Sequence, residues 1–220
     1  MEYEDKYHKD LHKGLFSNSD FYRARAKIVF NDYFEKLDNK RVLEFGCGLG
    51  QNIFVLSQFG LKPVGYDISK FAVNFCKDKG IDATTDWNSL GKFDVIFSKF
   101  VLEHVTNPYE ELKRMREKLK DDGVLILVLA REKYTKVPLT PDKNRHLWCW
   151  NFQSINNLLY ETGYKVIENE MKYDRGGFTK LWKPVYEIID SEWLYDKLTK
   201  LVGVVTDSKE IRIYARKRRL

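Results

Sequence analysis

Residues 41 to 52, Arg-Val-Leu-Glu-Phe-Gly-Cys-Gly-Leu-Gly-Gln-Asn, constrain this chain more than any other stretch. The apolar run Val42 to Phe45 ends in three glycines at alternate positions, Gly46, Gly48 and Gly50. Gln51 to Phe59 then reads as a helix closed by Gly60. A backbone that turns this sharply and still lets a ligand rest against it must do without Cβ atoms. The stretch therefore reads as strand, ligand-binding turn and helix, with a glycine turn that merely packs helix on sheet as the plain alternative. A dinucleotide fingerprint, G-x-G-x-x-G, would put its last glycine where this chain has Gln51, at the point that admits a pyrophosphate. No G-K-S/T follows, which excludes a Walker loop. The loop suits a ligand without phosphates.

Downstream, strands and helices alternate. Lys62 to Tyr66 is a predicted strand ending at Asp67. Ser69 caps a helix through Lys79, closed by Gly80. Ile81 to Thr84 is a short third strand, and Lys92 to Lys99 a fourth. Asn107, Pro108, Glu110 and Glu111 start a helix with Leu112, Met115 and Leu119 on its core side. Asp121-Asp122-Gly123 turns into the apolar run Val124 to Ala130, of the kind a central parallel strand requires. This alternation argues a doubly wound α/β sheet with a ligand crevice at the carboxyl ends of its strands. Asp67 then stands beside the glycine loop, where a carboxylate can accept both hydroxyls of a ribose; an ordinary helix N-terminal charge is the alternative.

The loop from Arg131 to Trp150 leaves the same edge and carries His146, Trp148 and Trp150; long loops in compact domains tend to be functional. A helix from Phe152 to Thr162 and a strand from Tyr164 to Met171 follow. Pro184 opens a further helix to about Val202, with Val185, Ile188, Ile189, Trp193, Leu194 and Leu198 on one side. Glu210 to Lys217 alternates apolar and polar as a last strand. Residues 1 to 40 form a helical preface, 41 to 171 a ligand-binding core, 172 to 203 an acceptor-side insert where acceptor specificity is expected, and 204 to 220 the final strand and basic tail, all within one domain of 220 residues.

Composition narrows the class. Hydrophobic content of 43% with 32% charged residues belongs to a globular protein. No stretch of 18 apolar residues exists, and the N-terminus is acidic where a signal peptide is basic, so the expected location is the cytoplasm. Cys47, Cys76 and Cys149 have neither an even count nor metal-ligand spacing, so the expectation is free thiols, without disulfide or metal site. The net charge of +6 concentrates near the C-terminus in Arg212, Arg216, Lys217, Arg218 and Arg219. Such a tail can bind nucleic acid or simply be solvated.

The glycine loop, preceded by Glu44, resembles the first motif of the class I S-adenosylmethionine-dependent methyltransferases, E/D-x-G-x-G-x-G. Phe93-Asp94-Val95-Ile96 with Leu102-Glu103-His104-Val105 and Pro108 resembles a second motif of the same family. The resemblance covers roughly residues 41 to 130. It implies a Rossmann-like seven-stranded sheet in the order 3-2-1-4-5-7-6, the last strand antiparallel, with helices on both faces and S-adenosylmethionine as the methyl donor. By this resemblance Glu44, Gly46, Cys47, Gly48 and Gly50 meet the methionine end, Cys47 as a small filler, and Asp67 with Ile68 the ribose. Asp86 and Trp87 take the adenine, and Ser98 offers a backbone contact. In the preface Tyr3, Tyr7 and Arg25 are candidate lid contacts.

Methyl transfer from a sulfonium is an in-line displacement in which alignment matters most, and a hydroxyl or ammonium acceptor must also lose a proton. His104 and His146 are the candidate bases. In the resembled family the position of His104 is frequently structural, which favours His146 of the two. Tyr134, Asp142 and Arg145 are further acceptor contacts. The expected acceptor atom is oxygen, with nitrogen second, on a small molecule, a glycan or a lipid-linked precursor. The alternatives are an RNA or protein methyltransferase using the basic tail, and a cofactor-binding module without activity. No N-P-P-Y/F tetrad follows the fourth strand, where Ser98-Lys99-Phe100-Val101 stands, so base N-methylation is disfavoured.

Overall fold

The computed structural model describes Leu37 and residues 40–132, 139–141, 144–173, 192–207 and 209–219. Tyr3, Tyr7, Arg25, Tyr134, Asp142 and the stretch 174–191 lie outside the described residues. The strands are β1 (Val42–Phe45), β2 (Val64–Tyr66), β3 (Ala83–Thr84), β4 (Phe93–Lys99), β5 (Leu119–Ala130), β6 (Tyr164–Tyr173) and β7 (Lys209–Lys217). The helices are α1 (Gln51–Gln58), α2 (Lys70–Asp78), α3 (Pro108–Lys118), α4 (Phe152–Glu161) and α5 (Glu192–Thr206). The seven strands form one sheet in the order β3-β2-β1-β4-β5-β7-β6, the order implied by the resemblance.

The chain divides into two compact units. The first holds the described residues of Met1–Leu90 and Tyr173–Ser208, and the second those of Gly91–Lys172 and Lys209–Leu220. In the first, β1 runs parallel to β2 and β2 to β3, with Leu43 opposite Val64 and Gly65 opposite Ala83. All four residues of β1 are buried. Ser69 caps α2 by accepting the Ala72 N–H at 3.2 Å, and Gly80, at φ 71°, ends that helical segment in the left-handed region that favours glycine.

In the second unit β4 runs parallel to β5, and β7 lies antiparallel to β5 from Leu125↔Ala215 to Ala130↔Glu210. Asn107 caps α3 through the Glu110 N–H, with Pro108 in the first turn, and Asn151 with Ser154 forms a capping box on α4.

Two expectations change, and one holds with an added feature. The turn foreseen at Asp121 to Gly123 belongs to β5, which starts at Leu119 directly after α3. The register between Phe93 and Val95 shifts to absorb the extra residues. The alternating residues Glu210 to Lys217 form the expected antiparallel strand, in which Glu210 and Arg212 are each 1% exposed. They sit in an interior strand, where Lys99 Nζ meets Glu210 Oε2 at 2.9 Å and Arg212 Nε meets Glu210 Oε1 at 2.6 Å. Trp193, expected on the core side of its helix, is 69% exposed.

Candidate functional site

The first unit builds a cradle from the glycine loop. Gly46, Gly48 and Gly50 all have positive φ, at 75°, 52° and 76°. A Cβ at Gly50 would stand 2.8 Å from Cys76 Sγ and 3.1 Å from Ile81, so both backbone and space exclude a side chain there. The N–H groups of Gly46 and Cys47 both donate to the Tyr66 carbonyl, at 2.8 and 3.0 Å, which holds the loop against the end of β2.

Asp67 fastens the loop from the other side. Its Oδ2 accepts the Gly48 N–H at 2.8 Å and its Oδ1 the Ser69 N–H at 2.9 Å. A carboxylate has about four acceptor positions, so two remain for a ligand after both bonds. Asp67 is 9% exposed, which leaves it reachable. Glu44 is buried at the end of β1, with Oε1 accepting from Asn52 Nδ2 at 2.5 Å. Cys47 and Cys76 are buried free thiols. The hydrogen bond between them, and then burial, push the Cys47 thiol well up, consistent with a filler rather than a nucleophile.

The adenine candidates differ from each other. Asp86 is exposed, its Oδ1 accepting the Asn88 N–H at 2.9 Å, while Trp87 is buried. The Trp87 ring is packed edge-on against Phe45 at 5.7 Å and Tyr66 at 4.9 Å between centroids. Ile68 is 60% exposed.

The second unit carries the other candidates. Ser98 is buried at the end of β4, its Oγ without a hydrogen-bond partner among the described residues. His104 and His146 meet edge to face, with ring centroids 4.7 Å apart. His146 Nδ1 contacts Glu132 Oε1, just past the end of β5. Arg145, the neighbour of His146, is exposed.

Two acidic residues without an assigned role complete this cluster. Glu103 is fully buried, with Oε1 accepting the Ala130 N–H at 3.2 Å. Its backbone carbonyl takes the Leu147 and Trp148 N–H groups at 2.7 and 3.3 Å, anchoring the His146 loop. Burial pushes the Glu103 carboxyl up to about 7, against the lowering effect of its own and the Ala130 N–H and of His146. A carboxylate inside the otherwise apolar Val101-Leu102-Glu103 step was a visible signal for this residue; the pairing of Glu132 with His146 left none in the spacing.

Three of the five basic residues near the C-terminus have partners, while Arg216 and Arg219 are exposed. Besides Arg212, Lys217 pairs with Asp121 at 3.0 Å, and the Arg218 guanidinium lies 4.0 Å from the Tyr160 ring centroid. No helix among the described residues is long and apolar enough to cross a membrane.

Comparison with known proteins places this geometry. A family model described as a methyltransferase domain matches residues 18–169. A tRNA U34 carboxymethyltransferase of Campylobacter lari is 29% identical over 172 residues, 70% of this chain and 59% of that protein. Phosphoethanolamine N-methyltransferase 3 of Arabidopsis thaliana is 24% identical over 182 residues, 74% of this chain and 36% of that protein. The chain thus spans less than two thirds of either relative. Among solved structures, a SAM-dependent methyltransferase from Archaeoglobus fulgidus superposes with a TM-score of 0.60 at 19% identity, covering 94% of this chain and 99% of that one. With the strand order and the family match agreeing, the chain belongs to the class I S-adenosylmethionine-dependent methyltransferases.

Proposed function

We propose that this enzyme moves the methyl group of S-adenosylmethionine to an oxygen, with nitrogen as the second choice, of a small-molecule, glycan or lipid-linked acceptor, acting as a single methyltransferase domain. The observation that carries the donor half is the loop of left-handed glycines clasped by Asp67. A turn of backbone without side chains at Gly46, Gly48 and Gly50, beside a carboxylate with acceptor positions to spare, suits an uncharged ribose and an amino-acid chain rather than phosphates.

In this reading Glu44, Gly46, Cys47, Gly48 and Gly50 line the methionine end, and Asp67 and Ile68 the sugar. Asp86 and the Trp87 backbone border the adenine, and Ser98 contributes from the end of β4. The Trp87 ring is committed to Phe45 and Tyr66, so its part is the main chain rather than stacking. Bound S-adenosylmethionine supplies an electrophilic methyl on its sulfonium sulfur. The residues of the chain align the acceptor, exclude water and take up its proton.

For the acceptor half the support is the cluster past β4 and β5. His146 is the preferred proton acceptor of the two histidines, because Glu132 on Nδ1 fixes its ring and leaves Nε2 for the acceptor. The engaged state of Arg212, Lys217 and Arg218 favours a small acceptor over a polyanion held by the tail. The likeness to the Campylobacter lari tRNA enzyme supports an RNA acceptor as the second reading.

One experiment separates them. The protein is incubated with methyl-tritiated S-adenosylmethionine and a cell extract, which is then fractionated into small molecules, lipids, protein and RNA. Label in the small-molecule or lipid fraction, lost in His146→Gln, is the expected result. Label that disappears with ribonuclease would overturn the proposal in favour of RNA.

A further inference from the structure

Alignment and proton uptake do not account for the whole of the cluster in the second unit. Glu103, His104 and His146 each offer one ligand atom, and these atoms lie within 4.8 Å of one another. Glu103 Oε2 is buried without a hydrogen-bond partner among the described residues. A desolvated carboxylate oxygen with no donor is costly unless a cation or a donor reaches it. The upward push on this carboxyl, to about 7, has the same origin: burial outweighs the Glu103 and Ala130 N–H groups and the nearby His146, which act the other way.

Glu132 adds an independent feature. Its contact with His146 Nδ1 sets the tautomer and leaves the Nε2 lone pair as a donor, the arrangement by which carboxylates orient histidines toward metal ions. Each of the four residues stands just past the carboxyl end of β4 or β5, or in the loop that the Glu103 carbonyl anchors.

We propose that Glu103, His104 and His146 form a binding site for one divalent first-row transition cation of the zinc or cobalt kind, with Glu132 as the residue that orients His146. Two imidazoles and one carboxylate are a borderline donor set, whereas magnesium and calcium call for oxygen ligands. Tetrahedral bonds of about 2.0–2.1 Å put two ligand atoms on one ion about 3.4 Å apart, so ligand atoms at the 4.8 Å limit of this cluster draw in by somewhat more than about 1 Å on binding. Three protein ligands leave a position open for water or an acceptor oxygen. An ion there takes over from His146 as the group that activates the acceptor: the acceptor's O–H bond breaks with its proton passing to water, and the oxygen stays on the cation. The binding claim does not depend on which acceptor is methylated.

The test uses the full chain, stripped with a chelator and desalted. Cobalt chloride is added while visible absorption is recorded, and zinc chloride is titrated by calorimetry. The expected result is one equivalent per chain at micromolar affinity or tighter, with the d–d bands of nitrogen-ligated cobalt. Glu103→Gln and His146→Asn each weaken binding by more than about tenfold, and Glu132→Gln by about tenfold through loss of orientation. S-adenosylhomocysteine affinity, measured on the same samples, reports that the glycine loop is still folded. No binding by the wild type at millimolar cobalt would overturn the proposal. So would undiminished stoichiometric binding by the Glu103→Gln/His146→Asn double variant, which would place the ion on other residues such as His8, His12 or Cys149.

Discussion

Replacing Asp67 by Asn separates the two tasks this carboxylate is assigned. In the protein it accepts the Gly48 N–H at 2.8 Å and the Ser69 N–H at 2.9 Å. Asn keeps one acceptor oxygen and turns an amide NH₂ toward the other N–H, so one charge-assisted bond is lost and two donors face each other. A hydrogen bond to a charged group contributes about 1.5–3 kcal/mol, and the ligand-free protein should lose stability of that order. If the same carboxylate also takes the ribose hydroxyls, S-adenosylhomocysteine affinity falls by a comparable further amount, roughly 10- to 150-fold. Calorimetry on wild type and Asp67→Asn, with S-adenosylhomocysteine and with its analogue lacking both ribose hydroxyls, isolates the contact. The hydroxyls should matter to the wild type and matter little to the variant, a coupling above about 1 kcal/mol. Additive losses, within the roughly 0.3–0.5 kcal/mol expected of independent sites, would refute the ribose contact and leave Asp67 as a clasp for the loop alone.

Three other perturbations follow from the packing. A Cβ at Gly65 would lie 2.6 Å from Cys47 Sγ and 3.0 Å from Cys47 Cβ, so Gly65→Ala should cost about 1–3 kcal/mol in urea unfolding. Adding Cys47→Ala should recover part of it; no recovery would refute the clash. Glu210→Gln leaves Lys99 and Arg212 without their shared carboxylate, a loss of up to about 3–5 kcal/mol near neutral pH. Burial alone raises the Glu210 carboxyl, but Lys99 and Arg212 outweigh it and hold it below the usual carboxylate range. Its contribution is therefore complete above an unfolded value of about 4.3 and disappears as pH falls through the lower folded value. Wild-type and variant stability should converge in acid, and a constant gap would contradict this account. Arg145 is exposed at φ 52°, so Arg145→Gly should change stability by less than about 1 kcal/mol while Arg145→Val costs more, as thermal melts would register.

The strand order and the loop were legible because each is written locally. Apolar runs, caps such as Ser69 and Asn107, and glycines at alternate positions act within a few residues, and the structure uses them as the chain spells them. The burial of Glu210 and Arg212 was not legible, for a reason that is also physical. Alternation marks a solvated face only when a strand has one, and β7 lies between β5 and β6, where its polar side chains are kept by charge partners as distant in sequence as Lys99. Glu132 and His146 meet across a long loop, and Glu103 joins them from another strand end, so no spacing rule could assemble the group. The start of β5 at Leu119 was hidden because Asp121 and Asp122 are turn formers, and the register shift opposite Phe93 and Val95 accommodates them within a strand.

Backbone strain falls where this cluster is built. Phe100, at φ 56°, and Arg145, at φ 52°, are two of the three described non-glycine residues in the left-handed region. One leads from β4 into Glu103 and His104, and the other directly precedes His146. For a bulky residue such as Phe this conformation costs of order 1–3 kcal/mol and persists only where neighbours over-determine it. At Phe100 they do: its N–H donates to the Val128 carbonyl at 2.8 Å, and Lys99 Nζ lies 4.6 Å from its ring centroid. Glycine would remove the strain at either position but would also release the loop. Glu103, whose carbonyl accepts the Leu147 and Trp148 N–H groups, needs both loops fixed to bring its carboxylate and the two imidazoles together. The strained turns and the buried acid thus fall on the same object, the cluster past β4 and β5, where two left-handed residues flank the segments that bring Glu103, His104 and His146 together.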